Sequence, residues 1–126
     1  MANYVDGFLL PVPLEHLETY RQVVTVVAEI WKEHGAIDYA EFVGDDLQSD
    51  GVRSFVDGAN ATKDEIVIFG WVTFASREAR DLANEKVATD PRILELVDPL
   101  TQTVPPVFDP KRMCYGGFRS LFSGGG

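Results

Sequence analysis

Ile66-Val67-Ile68-Phe69-Gly70-Trp71-Val72-Thr73-Phe74 carries large apolar side chains on both faces of an extended chain. Alternation puts Ile66, Ile68, Val72 and Phe74 on one face and Val67, Phe69 and Trp71 on the other. Asn3-Tyr4-Val5-Asp6-Gly7-Phe8-Leu9-Leu10 reads the same way, with Tyr4, Asp6, Phe8 and Leu10 opposite Val5, Gly7 and Leu9. A sheet with one wet face would alternate apolar with polar residues. Both stretches are therefore expected to be strands covered on both sides. The helices that the sequence offers cover one face, and a second copy of the chain is the simplest cover for the other.

Outward from these strands, Pro11 and Pro13 are expected to end the first strand and open a helix. From Leu14 to about His34, apolar residues recur at Leu17, Tyr20, Val24, Val27 and Trp31, which is helical spacing with one buried face. Gly35 stops it. A second strand covers about Ile37 to Val43, and its Asp38 and Glu41 suit an edge position. A long polar stretch, Gly44 to Asp64, follows, with Phe55 and Val56 as its apolar pins. After the third strand, Ser76 caps a second helix through Val87. Asp90-Pro91 opens a short further helix through Ile93, Leu94 and Val97. Pro99, Pro105, Pro106 and Pro110 are expected to keep the next segment extended, before a fourth strand from Arg112 to Phe118. The order β-α-β-β-α-β makes an α+β, ferredoxin-like four-stranded antiparallel sheet with the first and third strands central. A single domain is expected over residues 1–123, with Gly124–Gly126 as a flexible tail.

The chain has 126 residues, with 11 Lys plus Arg against 20 Asp plus Glu and a net charge of -9. Such a balance repels phosphate backbones and argues against nucleic acid as a partner. No apolar run approaches the roughly 20 residues that span a bilayer. The start Met1-Ala2-Asn3-Tyr4 has no basic region or signal-peptide core. One cysteine, Cys114, allows no internal disulfide. A cytoplasmic protein without a membrane partner is expected.

Tyr4-Val5-Asp6-Gly7-Phe8, Glu33-His34-Gly35-Ala36, Gly44-Asp45-Asp46, Trp71-Val72, Arg80-Asp81, Phe108-Asp109-Pro110-Lys111-Arg112-Met113 and Gly116-Gly117-Phe118 resemble the YbaA-like family, a domain of unknown function. The resemblance spans nearly the whole chain. It implies the fold of the dimeric α+β barrel superfamily, in which two ferredoxin-like sheets face each other across a two-fold axis, and hence a homodimer through sheet-to-sheet packing. That superfamily includes cofactor-free monooxygenases, haem enzymes and stress-response proteins. Fold resemblance does not carry chemistry with it.

Among residues that carry chemistry, Asp6 is the foremost. A carboxylate inside a central strand must be paired, hydrated or protonated. It is either a catalytic base facing the barrel interior or the structural partner of Arg112, Lys111 or a tyrosine hydroxyl. Arg112 either binds an anionic ligand group or ties the sheet edge to Asp109 or Asp45. His34 ends the first helix, where a cation meets the helix dipole favourably, and is a second candidate acid or base. His16 sits in the first turn of the same helix, on the exposed side. About 27 Å of helix at ~1.5 Å per residue separates the two, so they share no metal. Cys114 reads as a small buried hydrophobe. Tyr4, Tyr39, Trp71 and Tyr115 either line a ligand pocket or fill a core or dimer interface. Asp46-Leu47-Gln48-Ser49-Asp50-Gly51 resembles the front of a calcium loop, but Asp57 stands where the bidentate glutamate belongs and a strand precedes it. No metal site and no cofactor are expected.

Two functions fit these residues. One is a binding protein for a small apolar or aromatic molecule, with a cofactor-free monooxygenase as its enzymatic form. There Asp6 or His34 takes the proton, and Tyr4, Trp71 and Tyr115 hold the ring. The other is a non-catalytic dimeric interaction or stress-response module. The first predicts a cavity beside Asp6. The second predicts a basic side chain neutralising Asp6 and no pocket.

Overall fold

The computed structural model describes residues 3–123, so the expected tail at 124–126 lies outside the described residues. The strands are β1 (Tyr4–Pro13), β2 (Asp38–Val43), β3 (Glu65–Phe74) and β4 (Cys114–Arg119). The helices are α1 (Leu17–Glu33), α2 (Phe55–Gly58), α3 (Arg77–Ala88) and α4 (Pro91–Thr101). The four strands form one antiparallel sheet in the order β2-β3-β1-β4. This is the ferredoxin-like βαββαβ arrangement, with the two doubly apolar strands in the middle. No helix among the described residues is long and apolar enough to cross a membrane.

Local chemistry fixes the helix starts. Ser76 Oγ accepts from the Ala79 amide at 3.1 Å, and the Asp90 carboxylate accepts from the Arg92 amide at 3.0 Å, with Pro91 in the first turn. Ser54 Oγ caps α2 inside the long polar stretch by accepting from the Val56 amide at 3.0 Å.

Register assigns the faces. Tyr4, Asp6, Phe8, Leu10 and Val12 of β1 share a face with Ile68, Gly70, Val72 and Phe74 of β3, Tyr39 and Glu41 of β2, and Tyr115 of β4. The helices cover this face, and the core of Phe8, Leu10, Val12, Tyr20, Ile68, Val72 and Phe74 lies between. The opposite face carries Leu9, Phe42, Phe69, Trp71, Cys114 and Phe118. Among the described residues the segment around α2 leans on it, with Phe55 packed 5.8 Å from Phe69 between ring centres. Phe42, Phe69 and Phe118 remain 53%, 44% and 62% exposed.

Several boundaries differ from the sequence reading. β1 does not end at Pro11 but runs through Pro13. Leu14 N donates to Asp64 O at 3.0 Å, so even-numbered β1 residues bond to β3 and odd-numbered amides face the β4 side. β4 pairs only as far as Leu9, so Pro11 and Pro13 lack an N–H where no partner strand awaits one. His16 is half-buried in a 3-10 turn, Leu14–His16, ahead of α1. Pro99 lies inside α4 and not in an extended segment; the helix carries it near its C-terminal end, where few bonds remain to be lost. Arg112 belongs to a 3-10 turn, Pro110–Arg112, and β4 starts two residues later. Cys114 is exposed, because its parity places it on the uncovered sheet face.

Candidate functional site

Gly70 opens the inner face. It pairs with Phe8 on one side and Glu41 on the other, and a Cβ there would sit 2.6 Å from Phe8 Cζ and 2.6 Å from Ala40 O. The missing side chain lets the Phe8 ring lie against the Gly70 backbone. Over this region the helices stand off the sheet and leave a cavity of ≈ 230 Å³. Its walls are apolar, from Val23 and Val27 of α1, Val87 of α3, Ile93, Val97 and Leu100 of α4, and Val72 of β3. Trp31, Phe108 and Met113 complete them. The polar rim consists of Tyr20, Tyr39, Glu41 and Tyr115.

Glu41 is the carboxylate of this cavity. Tyr20 donates to its Oε1 at 2.5 Å and Tyr39 to its Oε2 at 2.8 Å. Burial raises the Glu41 carboxyl above its ordinary 4.5, and the two phenol donors pull the other way. Both phenols are pushed above their ordinary 10.0 by burial and by the Glu41 charge. An open groove of ≈ 660 Å³ between α1 and β2 reaches the same Tyr20, Tyr39 and Glu41 from outside. The cluster thus stands where groove and cavity meet.

Asp6 lies behind the cavity wall in a second cluster. It is fully buried, at 0% exposure. Tyr115 donates its hydroxyl to Oδ2, and Arg80 Nη1 stands 3.4 Å from Oδ1. Arg80 Nη2 also donates to the Tyr4 hydroxyl at 2.9 Å, with its guanidinium 4.9 Å from the Tyr4 ring centre. Burial raises the Asp6 carboxyl above 3.8, opposed by Tyr115 and Arg80. Burial and the Asp6 carboxylate together raise Tyr115.

Of the residues singled out in the sequence, Asp6, Tyr4 and Tyr115 come together, and Tyr39 and Tyr115 line the cavity. The partner of Asp6 is Arg80, neither Arg112 nor Lys111, because the Arg80 side chain of α3 reaches the Tyr4–Asp6 end of β1 while Arg112 sits at the far end of β1. Arg112 bonds the Glu65 carboxylate, at 2.5 Å from Nη1, and the Asn60 carbonyl at 2.7 Å, instead of Asp109 or Asp45. His34 caps the end of α1 and meets Asp90 Oδ2 at 2.8 Å, tying α1 to α4 away from the cavity. Trp71 is on the outer sheet face, stacked on Phe42 at 5.1 Å. Among the described residues no group of His, Cys, Asp and Glu is arranged to hold a metal ion.

Glu41, Tyr20 and Arg80 are the residues that sequence reasoning missed. Glu41 reads as edge-strand polarity, yet it shares parity with Tyr39 and faces Gly70, and that combination is the signal available in the sequence.

A family model described as a protein of unknown function, DUF1428, matches residues 3–105. The uncharacterized protein YbaA of Escherichia coli (strain K12) is 37% identical over 119 residues, 94% of this chain and 97% of its own length. Among solved structures, a putative antibiotic biosynthesis monooxygenase from Nitrosomonas europaea superposes with a TM-score of 0.56 at 13% identity, over 98% of this chain and 94% of that one. A nipsnap family protein of unknown function from Agrobacterium tumefaciens superposes with a TM-score of 0.54 at 16% identity, over 94% and 87%. These likenesses bear on the fold.

Proposed function

The chain belongs to the DUF1428 family of proteins of unknown function, and we propose from its own geometry that it binds a small apolar or aromatic molecule between sheet and helices, as a homodimer. The cavity carries this reading: ≈ 230 Å³ of apolar space with a few convergent polar groups at one end. An apolar cavity of about 150 Å³ accepts benzene, so this one suits a single substituted ring. The homodimer is supported by the exposed Phe42, Phe69 and Phe118 on a sheet face that α2 covers only in part. Packing two such faces buries at least ~1,200 Å², the lower bound for stable association.

The enzymatic form of this reading is a cofactor-free monooxygenase; the Nitrosomonas europaea neighbour is described as a putative antibiotic biosynthesis monooxygenase. In it Glu41 takes the proton. It borders the cavity, and burial raises its carboxyl above the ordinary value, against the two phenol donors. Asp6 serves as the support that orients Tyr115, and His34 as a helix clasp. A non-catalytic dimeric interaction or stress-response module is the competing reading; the Arg80–Asp6 pair is the neutralisation it expects, while the retained cavity favours binding.

The test is calorimetric titration of the full chain with toluene, beside Val97→Phe, which places a ring into the cavity from α4. Binding of one toluene per chain that Val97→Phe abolishes is the expected result. Absence of binding to the native chain overturns the reading.

A further inference from the structure

Every phenol hydroxyl bordering the cavity has already committed its hydrogen. Tyr20 and Tyr39 donate to the oxygens of Glu41, and Tyr115 donates to Asp6. Each phenol oxygen keeps lone pairs, and a carboxylate with about four acceptor sites receives only these donors. Among the described residues no Arg, Lys, His, Asn or Gln lines the cavity, and the indole of Trp31 carries its one side-chain N–H. The polar end is therefore built of acceptors around a carboxylate. The wall beside it carries the rings of Phe8 and Tyr39, and ring faces attract cations.

We propose that the ligand of this cavity is a small organic amine bound as its ammonium ion. Its N–H groups go to Glu41 and the phenol oxygens, and its apolar body rests against α4 and the sheet. The inference rests on the cavity being a small-molecule site, and it names the chemical class that the site selects. A carboxylate or phenolate of the same shape meets acceptors and a like charge and is rejected. The net charge of -9 draws cations toward the protein and repels anions.

Benzylamine, ethylbenzene and benzoate share one ring and differ in the group on it. The full chain is titrated with each by calorimetry at pH 7 and fixed salt, with ethylbenzene also used to compete against benzylamine. Benzylamine is expected to bind about tenfold tighter than ethylbenzene, the scale of one desolvated cation–ring contact. Ethylbenzene displaces it, and benzoate gives no binding. In Glu41→Gln the advantage of benzylamine over ethylbenzene is lost. Ethylbenzene binding as tightly as benzylamine overturns the amine assignment and leaves the cavity reading standing. Benzylamine that ethylbenzene cannot displace is held on the acidic surface, which also overturns the assignment. Absence of binding by all three overturns both. Should Glu41→Gln fail to fold, the comparison on the native chain decides alone.

Discussion

Arg80→Met removes the only cation beside Asp6 among the described residues and keeps most of the side-chain volume. Asp6 is at 0% exposure and the Arg80 side chain at 14%, so this is a buried pair. Breaking such a pair from one side costs about 3–5 kcal/mol, because a buried charge is left behind. Protonation sets a ceiling. Bringing a carboxyl with an ordinary value of 3.8 to its neutral form at pH 7 costs about 4 kcal/mol, at about 1.4 kcal/mol per pH unit. The expected loss is thus about 3–4 kcal/mol at pH 7. It shrinks toward pH 5 by up to about 1.4 kcal/mol per unit, since the orphaned Asp6 is then protonated more cheaply. A pH-independent remainder reflects the lost hydrogen bond to Tyr4. Adding Asp6→Asn to Arg80→Met recovers most of the stability, because the unpaired charge is gone. The assay is urea unfolding at one fixed protein concentration, so that any subunit association contributes equally. A loss below about 1 kcal/mol, or one that is the same at pH 5 and pH 7, refutes the reasoning.

Three further outcomes follow from the same geometry. The folded-state carboxyl of Glu41 is raised above its ordinary 4.5, so its contribution is most favourable below that value and is lost as pH rises through the folded value; Glu41→Gln removes this fall, read as a flatter difference in unfolding midpoint between pH 4 and pH 8. Phe69→Asp puts a charge in the middle of the exposed sheet face, and sedimentation equilibrium is expected to show dimers for the native chain and monomers for the variant. Gly70→Ala forces a Cβ to 2.6 Å from the Ala40 carbonyl and Phe8, and is expected to destabilise by about 1–3 kcal/mol in urea unfolding.

The sheet was legible because its decisive residues are local and periodic. Ile66 to Phe74 and Tyr4 to Leu10 carry their two-sided pattern within single strands, and strand order follows from the alternation of elements. The end of β1 was not, because whether a proline breaks a strand depends on how far the neighbouring β4 reaches, a long-range fact. The site was half legible for the same reason. Asp6 stands out as a charge among apolar neighbours, but its partner Arg80 comes from α3, more than half the chain away in sequence. Glu41 looks like ordinary edge polarity, and only the fold brings Tyr20 of α1 onto it. Trp71 shows why alternation alone stops short: it separates the two faces without saying which one the helices cover, and Trp71 falls on the other.

Methyl NMR tests the cavity claim most directly. The full chain, labelled at Ile, Leu, Val and Met methyls, is titrated with ethylbenzene. The expected shifts concentrate on Val27, Val72, Val87, Ile93, Val97 and Met113, which line the cavity, while Leu9 and Val5 of the outer sheet face stay put. Shifts confined to the outer face, or none at ligand saturation of the solvent, contradict it.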